Sequence, residues 1–211
     1  MYTPADEWMG GRHESGVVMN YLANTGSGVL QGADMLKDVP SRYKSSIEYA
    51  DNSIAKALRD VVRVHTANLG TRVFYTQHGG YDHHAQEMPA HDRLMGEISQ
   101  GIKDFMADLE EHDASEEIVI LVFSEFGRRM KDNGSGTDHG SGGGAFIIGN
   151  RVNGGLYSEY PSIDPSEWLN GEDLKHTFDY RGVYGTLLEQ HLGLDPTEIV
   201  LGNFEQLTPF K

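Results

Sequence analysis

The sequence predicts an α/β fold in a single domain, and two observations carry that prediction. Helix-like and strand-like segments alternate along the chain, helix before strand and again helix before strand. Residues 118–123 are also six consecutive apolar residues, mostly β-branched. Such a run suits a central parallel strand covered on both faces. At 211 residues the chain is long enough to bury one core.

Residues 1–45 show weak periodicity and scattered glycines, and read as an irregular N-terminal region with one helix around 14–22. The core of the domain, which spans 1–211, is expected over 46–211. Ile47, Ala50, Ile54, Leu58, Val61 and Val62 recur at helical spacing as far as Ala67. Gly70 stops that helix, and Arg72, Val73, Phe74, Tyr75 and Thr76 read as a short buried strand. A polar, histidine-rich turn covers 77–86. Leu94, Ile98, Ile102, Phe105 and Leu109 then step by four, four, three and four residues, the apolar face of the clearest helix. A polar break at 112–115 leads into the strand at 118–123, a long loop over 124–144 and an apolar stretch at 145–148. Residues 150–178 contain Pro161, Pro165 and several glycines, and read as surface loops. Asp179 opens a last helix carrying Val183, Leu187, Leu188 and Leu192, stopped by Gly193.

Composition narrows the chemistry. A net charge of −15 with no basic stripe argues against a nucleic-acid partner. With no cysteine, disulfides, thiolate zinc sites and cysteine nucleophiles are excluded, so a metal must be held by His nitrogens and oxygen ligands. No apolar run approaches the ~20 residues that span a bilayer, so no membrane span is expected. The first residues also lack the apolar core of a signal peptide.

In parallel α/β sheets, ligands bind in the crevice at the carboxyl ends of strands. Two segments satisfy that rule and are rich in ligand-type residues. The first is 77–86, with His78, Asp82, His83 and His84, directly after the strand at 72–76. The second is Ser124, Glu125, Phe126, Gly127 and Arg128, leading to Gly136, Thr137, Asp138, His139 and Gly140. Imidazole with carboxylate suits zinc, iron and manganese, whereas all-oxygen shells suit calcium and magnesium. A bound cation would let Asp82, Glu125 and Asp138 sit together, since bare carboxylates repel one another. The same residues also suit solvent-exposed turns in which Asp and His act as local caps. Arg128 and Arg129 can either hold an anionic substrate or form structural ion pairs.

The series Gly79 to His84, then Ser124 to Arg128, then Gly136 to Gly140, then Gly149 to Gly155 resembles domain-of-unknown-function 1501. This is a bacterial family similar to a branch of the alkaline phosphatase and sulfatase superfamily. The resemblance runs from about Ser46 to Gly193, with the motifs in order. It implies a three-layer α/β/α fold with a mainly parallel sheet and metal at the strand ends. It implies Asp82, His84 and His139 as ligands of one metal, with Glu125 at the acid position of a second site. Phe126 stands where that second site would have a histidine, which puts a complete two-metal centre in question, and Asp138 is the residue available to compensate. His83 is a further reserve. On the same resemblance the chain looks like the C-terminal part of such a protein, without the N-terminal strand and nucleophile segment. A periplasmic or secreted setting is implied as well.

The expected function is metal-dependent hydrolysis of phosphate or sulfate esters, with a small anionic ester as substrate. Zinc is the first candidate metal, and manganese or calcium are the alternatives. Arg128 would neutralise the transferring anion. The alternative is a non-catalytic, metal-stabilised binding or structural protein on the same fold.

Overall fold

The computed structural model describes residues 43–211, together with 23–28, 30, 32 and 33. The expected helix at 14–22 lies outside the described residues, while 23–28 are helical within the stretch read as irregular. The chain divides into two compact units, Met1–Lys44 with Arg63–Phe74 and Ser45–Val62 with Tyr75–Lys211. In the first, the Arg63 guanidinium lies 5.1 Å above the Tyr43 ring. All of the candidate site residues belong to the second.

Helix α1, Ser53–Thr66, starts where the Asn52 side chain accepts the Ala55 N–H at 2.9 Å, satisfying one of the orphan donors of the first turn. Its buried face is Ile54, Ala55, Leu58 and Val62; of the stripe read from the sequence, Ile54, Leu58 and Val62 lie on it, Val61 is half-buried, and Ile47 and Ala50 precede the helix in non-helical chain. Helix α2, Met88–Glu111, carries proline in its first turn, where a missing N–H costs nothing. Leu94, Phe105 and Leu109 are buried on α2, and Gly101 brings the helices into close approach: a Cβ there would sit 3.4 Å from Leu58. Burying each of these large side chains stabilises the unit by roughly 1.5–3 kcal/mol. Asp108 is fully buried on the same helix, and accepts the Tyr49 hydroxyl at 2.8 Å. His112 caps the helix C-terminus, its Nδ1 2.8 Å from the Asp108 carbonyl.

The strands depart from expectation in direction. Strand β1, Ile120–Val122, pairs antiparallel with β4, Phe146–Ile148, in the register Ile120 with Ile148 and Val122 with Phe146. Strand β2, Gly127–Asp132, pairs antiparallel with β3, Thr137–Gly140. Among the described residues the sheets are these two antiparallel pairs, so the fold is mixed α/β. The expected cover on both faces is not found either: residues 118–122 are half-buried and Phe123 is exposed, so the apolar run fixed neither two-sided burial nor the direction of the neighbouring strand. Residues 72–76 form no ladder, and Val73 and Tyr75 are strongly exposed where a buried strand was expected.

The expected loop at 124–144 also contains the β2–β3 hairpin. Its strands are charged and lack the alternation that marks a half-buried strand. Between them Asp132 Oδ1 accepts the Gly134 N–H at 2.6 Å and Asn133 Oδ1 accepts the Gly136 N–H at 2.9 Å. Gly134 adopts φ +98°, conformationally easy only for glycine.

Helix α3, Tyr180–Thr186, continues through a π turn at Leu187–His191 and ends at Gly193, φ +68°. Its buried residues are Gly182, Gly185 and Thr186, whereas the expected apolar positions are only half-buried. Asp179 is the N-cap, accepting the Arg181 N–H at 2.9 Å. The Arg181 side chain and then its backbone N–H hold the Asp179 carboxyl at about 2, below an ordinary 3.8. A carboxyl depressed in the folded state contributes stability above its unfolded pKa, and the contribution is lost as pH falls through the folded value. Asp179→Ala should therefore cost about 1 kcal/mol at neutral pH. In urea melts at several pH values, that cost should shrink as pH falls from 3.8 toward about 2. Among the described residues, no helix is long and apolar enough to cross a membrane.

Candidate metal centre

The loop after residue 76 is irregular, and side chains anchor it to α2. His78 is nearly buried, with Nδ1 2.8 Å from the Tyr81 hydroxyl and Nε2 3.1 Å from Glu97. The Tyr81 hydroxyl also lies 3.2 Å from the Leu94 carbonyl, within donating distance. These bonds fix the backbone immediately before Asp82.

The hairpin supplies the opposite side. Arg128 and His139 are paired in the β2–β3 ladder. Arg128 donates to the Thr137 carbonyl at 3.0 Å, and to the Tyr81 carbonyl and Asp82 Oδ1 at 3.2 Å each. His139 Nε2 lies 2.7 Å from Asp82 Oδ1, and His84 Nε2 lies 3.0 Å from the same oxygen. Asp82, His84 and His139 thus offer one ligand atom each within 4.8 Å of one another, all three residues being exposed. The two imidazoles sit 4.9 Å apart, centroid to centroid.

An aromatic contact holds His139 in place. Phe126 stacks on its ring at 3.8 Å with an interplanar angle of 11°, and the Arg128 guanidinium in turn lies 5.0 Å from the centroid of the Phe126 ring. The residue in the expected histidine position therefore serves as a platform for the histidine that is present. His139, first, and then the charges of His84 and Arg128 hold the Asp82 carboxyl below its usual range. Asp138 is likewise held down, by the Asn133 amide first and His84 next.

Of the residues singled out in the sequence, the structure brings Asp82, His84, His139 and Arg128 together. Asp138 approaches from behind, its Oδ1 2.9 Å from His84 Nδ1. Glu125 stands outside the cluster and lines an adjoining apolar groove of about 480 Å³, along with Asp82, Phe126, Leu121 and Phe123. His83 is half-buried, and its Nε2 has no hydrogen-bond partner among the described residues. Sequence reasoning missed Asn133, which donates to Asp138 Oδ1 at 3.0 Å and to the His84 carbonyl at 3.2 Å. The Asn133-Gly134 pair, a strong hairpin signal, was the clue that could have found it.

Residues 34–205 match the family model described as "Protein of unknown function (DUF1501)". Neither a curated protein nor a solved structure matches the chain.

Proposed function

The chain belongs to the DUF1501 family, and from that premise we propose that Asp82, His84 and His139 hold a divalent metal in a hydrolase of phosphate or sulfate esters. The observation that carries the reading is the convergence of one carboxylate oxygen and two imidazole nitrogens from two separate segments. The donor set fits zinc first and manganese next, while calcium, which takes roughly six to eight oxygens, fits least. Ligand bonds of about 2.0–2.1 Å at tetrahedral angles separate ligand atoms by roughly 3.3 Å. The contacts of 2.7 and 3.0 Å to Asp82 would need only a small opening to admit the ion.

Three protein ligands leave a fourth position for water or substrate, and a metal held there supplies Lewis acidity and a water of lowered pKa. The exposure of all three residues leaves that position accessible to a small anionic ester. Arg128 orients Asp82 and adds positive charge beside it, where an anionic ester oxygen would lie. A three-layer, mainly parallel, alkaline phosphatase-like fold and a periplasmic or secreted setting belong to the same proposal. Their support is the motif resemblance alone.

One observation favours a second reading, a metal-stabilised binding or structural protein. Arg128 already donates to two backbone carbonyls and Asp82, which is how an arginine that holds a loop together behaves. Metal analysis of the purified chain, joined to assays on aryl phosphate and aryl sulfate, separates the readings. Stoichiometric zinc with ester cleavage supports the hydrolase, and zinc without cleavage supports the second reading. A folded, metal-free protein that binds no added zinc sinks both.

A further inference from the structure

We infer that Asp138 and Asn133 form an orienting pair that turns His84 Nε2, and not Nδ1, toward the metal position. The inference rests on the metal reading above and adds to it two residues that touch no metal.

The two ring contacts carry the argument. A carboxylate can only accept, so Asp138 Oδ1, 2.9 Å from His84 Nδ1, holds the ring through a hydrogen on Nδ1. The other nitrogen, Nε2, is thereby turned to the ligand cluster, 3.0 Å from Asp82 Oδ1. A metal on the Asp82 side would take the place of a hydrogen on Nε2, while Asp138 keeps the one on Nδ1.

Asp138 is itself held. Asn133 Nδ2 donates to Asp138 Oδ1 at 3.0 Å and to the His84 carbonyl at 3.2 Å. The Asn133 amide cannot be flipped without loss, because its Oδ1 accepts the N–H groups of Ser135 and Gly136 at 3.0 and 2.9 Å. One turn therefore fixes Asn133, Asn133 fixes Asp138 and the His84 carbonyl, and Asp138 fixes the His84 ring. On β3 the neighbours Asp138 and His139 divide the work: His139 reaches Asp82, and Asp138 reaches the far side of His84. Both members of the pair are positioning residues.

The test measures zinc affinity by calorimetry, using zinc alone, and reads the protonation of the His84 nitrogens by long-range ¹H–¹⁵N spectra. In the zinc-loaded wild type, His84 should show zinc on Nε2 and a solvent-protected Nδ1–H. Asp138→Ala should expose that proton to exchange and weaken zinc binding about 10–100-fold. Asn133→Ala should weaken it by a smaller factor, and the double variant should lose less than the product of the two single factors, because both act through the Asp138 contact. If Asp138→Ala does not fold, Asn133→Ala and the wild-type spectrum decide. Zinc on Nδ1 of His84, or an Asp138→Ala affinity within twofold of wild type, overturns the pair. If no variant and no wild type binds zinc, the metal reading fails separately. The pair is then judged on the metal-free spectra, where an Nδ1–H protected from exchange in wild type and exposed in Asp138→Ala upholds it, and equal exchange in the two overturns it.

Discussion

Asp82→Ala should abolish stoichiometric zinc binding while leaving the protein folded. Oδ1 of Asp82 is the hub of the cluster, 2.7 Å from His139 Nε2, 3.0 Å from His84 Nε2 and 3.2 Å from Arg128 Nη2. Without it the site keeps two imidazoles and a guanidinium, with no anionic ligand to offset a divalent charge. Changes to residues that merely support a ligand weaken metal binding about 10–100-fold, so losing this ligand should exceed about 100-fold. The side chain is 56% exposed and outside the helical core, so the melting temperature should stay near that of wild type. Calorimetric titration with zinc beside a thermal melt checks both halves. Affinity retained within tenfold would move the ligand role away from Asp82, with Glu125 the next residue to test.

What could be read in advance was chemistry by residue type. Asp82, His84 and His139 were legible because imidazole and carboxylate are scarce, functionally loaded groups in a chain without cysteine. Their neighbours in space were less so. Phe126 was legible as a departure from an expected histidine, but its stacking on His139 depends on the β2–β3 register, which shifts irregularly between Arg128 and Asp132 and which the Asn133-Gly134 turn signal does not set by itself. Helices α1 and α2 were legible because a stripe at 3.6-residue period reflects one buried face, and Ile54, Leu58, Leu94, Phe105 and Leu109 do lie in the core. Strand direction was not: the apolar run containing Ile120 and Val122 is equally compatible with either kind of partner, and the one it has is antiparallel. Asn133 escaped notice because its role is set by the turn it closes and by a residue five positions on, Asp138.

Gly127→Ala should be strongly destabilising although it leaves every candidate ligand residue in the chain. A Cβ at residue 127 would overlap the carbonyl of Gly142 and lie 2.9 Å from the Gly143 nitrogen. Both are backbone, so no side-chain rotation relieves the clash. The opposing segment has little freedom to retreat, since the Ser141 N–H bonds to Asp173 at 3.2 Å and its hydroxyl to the Leu174 carbonyl at 3.1 Å. Gly142 itself lies against Leu174. The strain must then fall on the ladder, where Gly127 faces Gly140 and the next pair is Arg128 with His139. Overpacking typically costs 1–3 kcal/mol, and an overlap with fixed backbone belongs at or above about 3 kcal/mol. For a chain of this size that is a fall of roughly 6–12 °C in melting temperature. Because the shift displaces His139 relative to Asp82, zinc affinity should fall with it. Gly144→Ala is the control, since a Cβ there meets nothing within 4 Å, and it should leave both properties unchanged. Equal melting temperatures and equal zinc affinities for the two variants would mean that the close approach of β2 to residues 142–143 does not position the ligands. The hairpin would then have to be relieved of the task of holding His139 against Asp82.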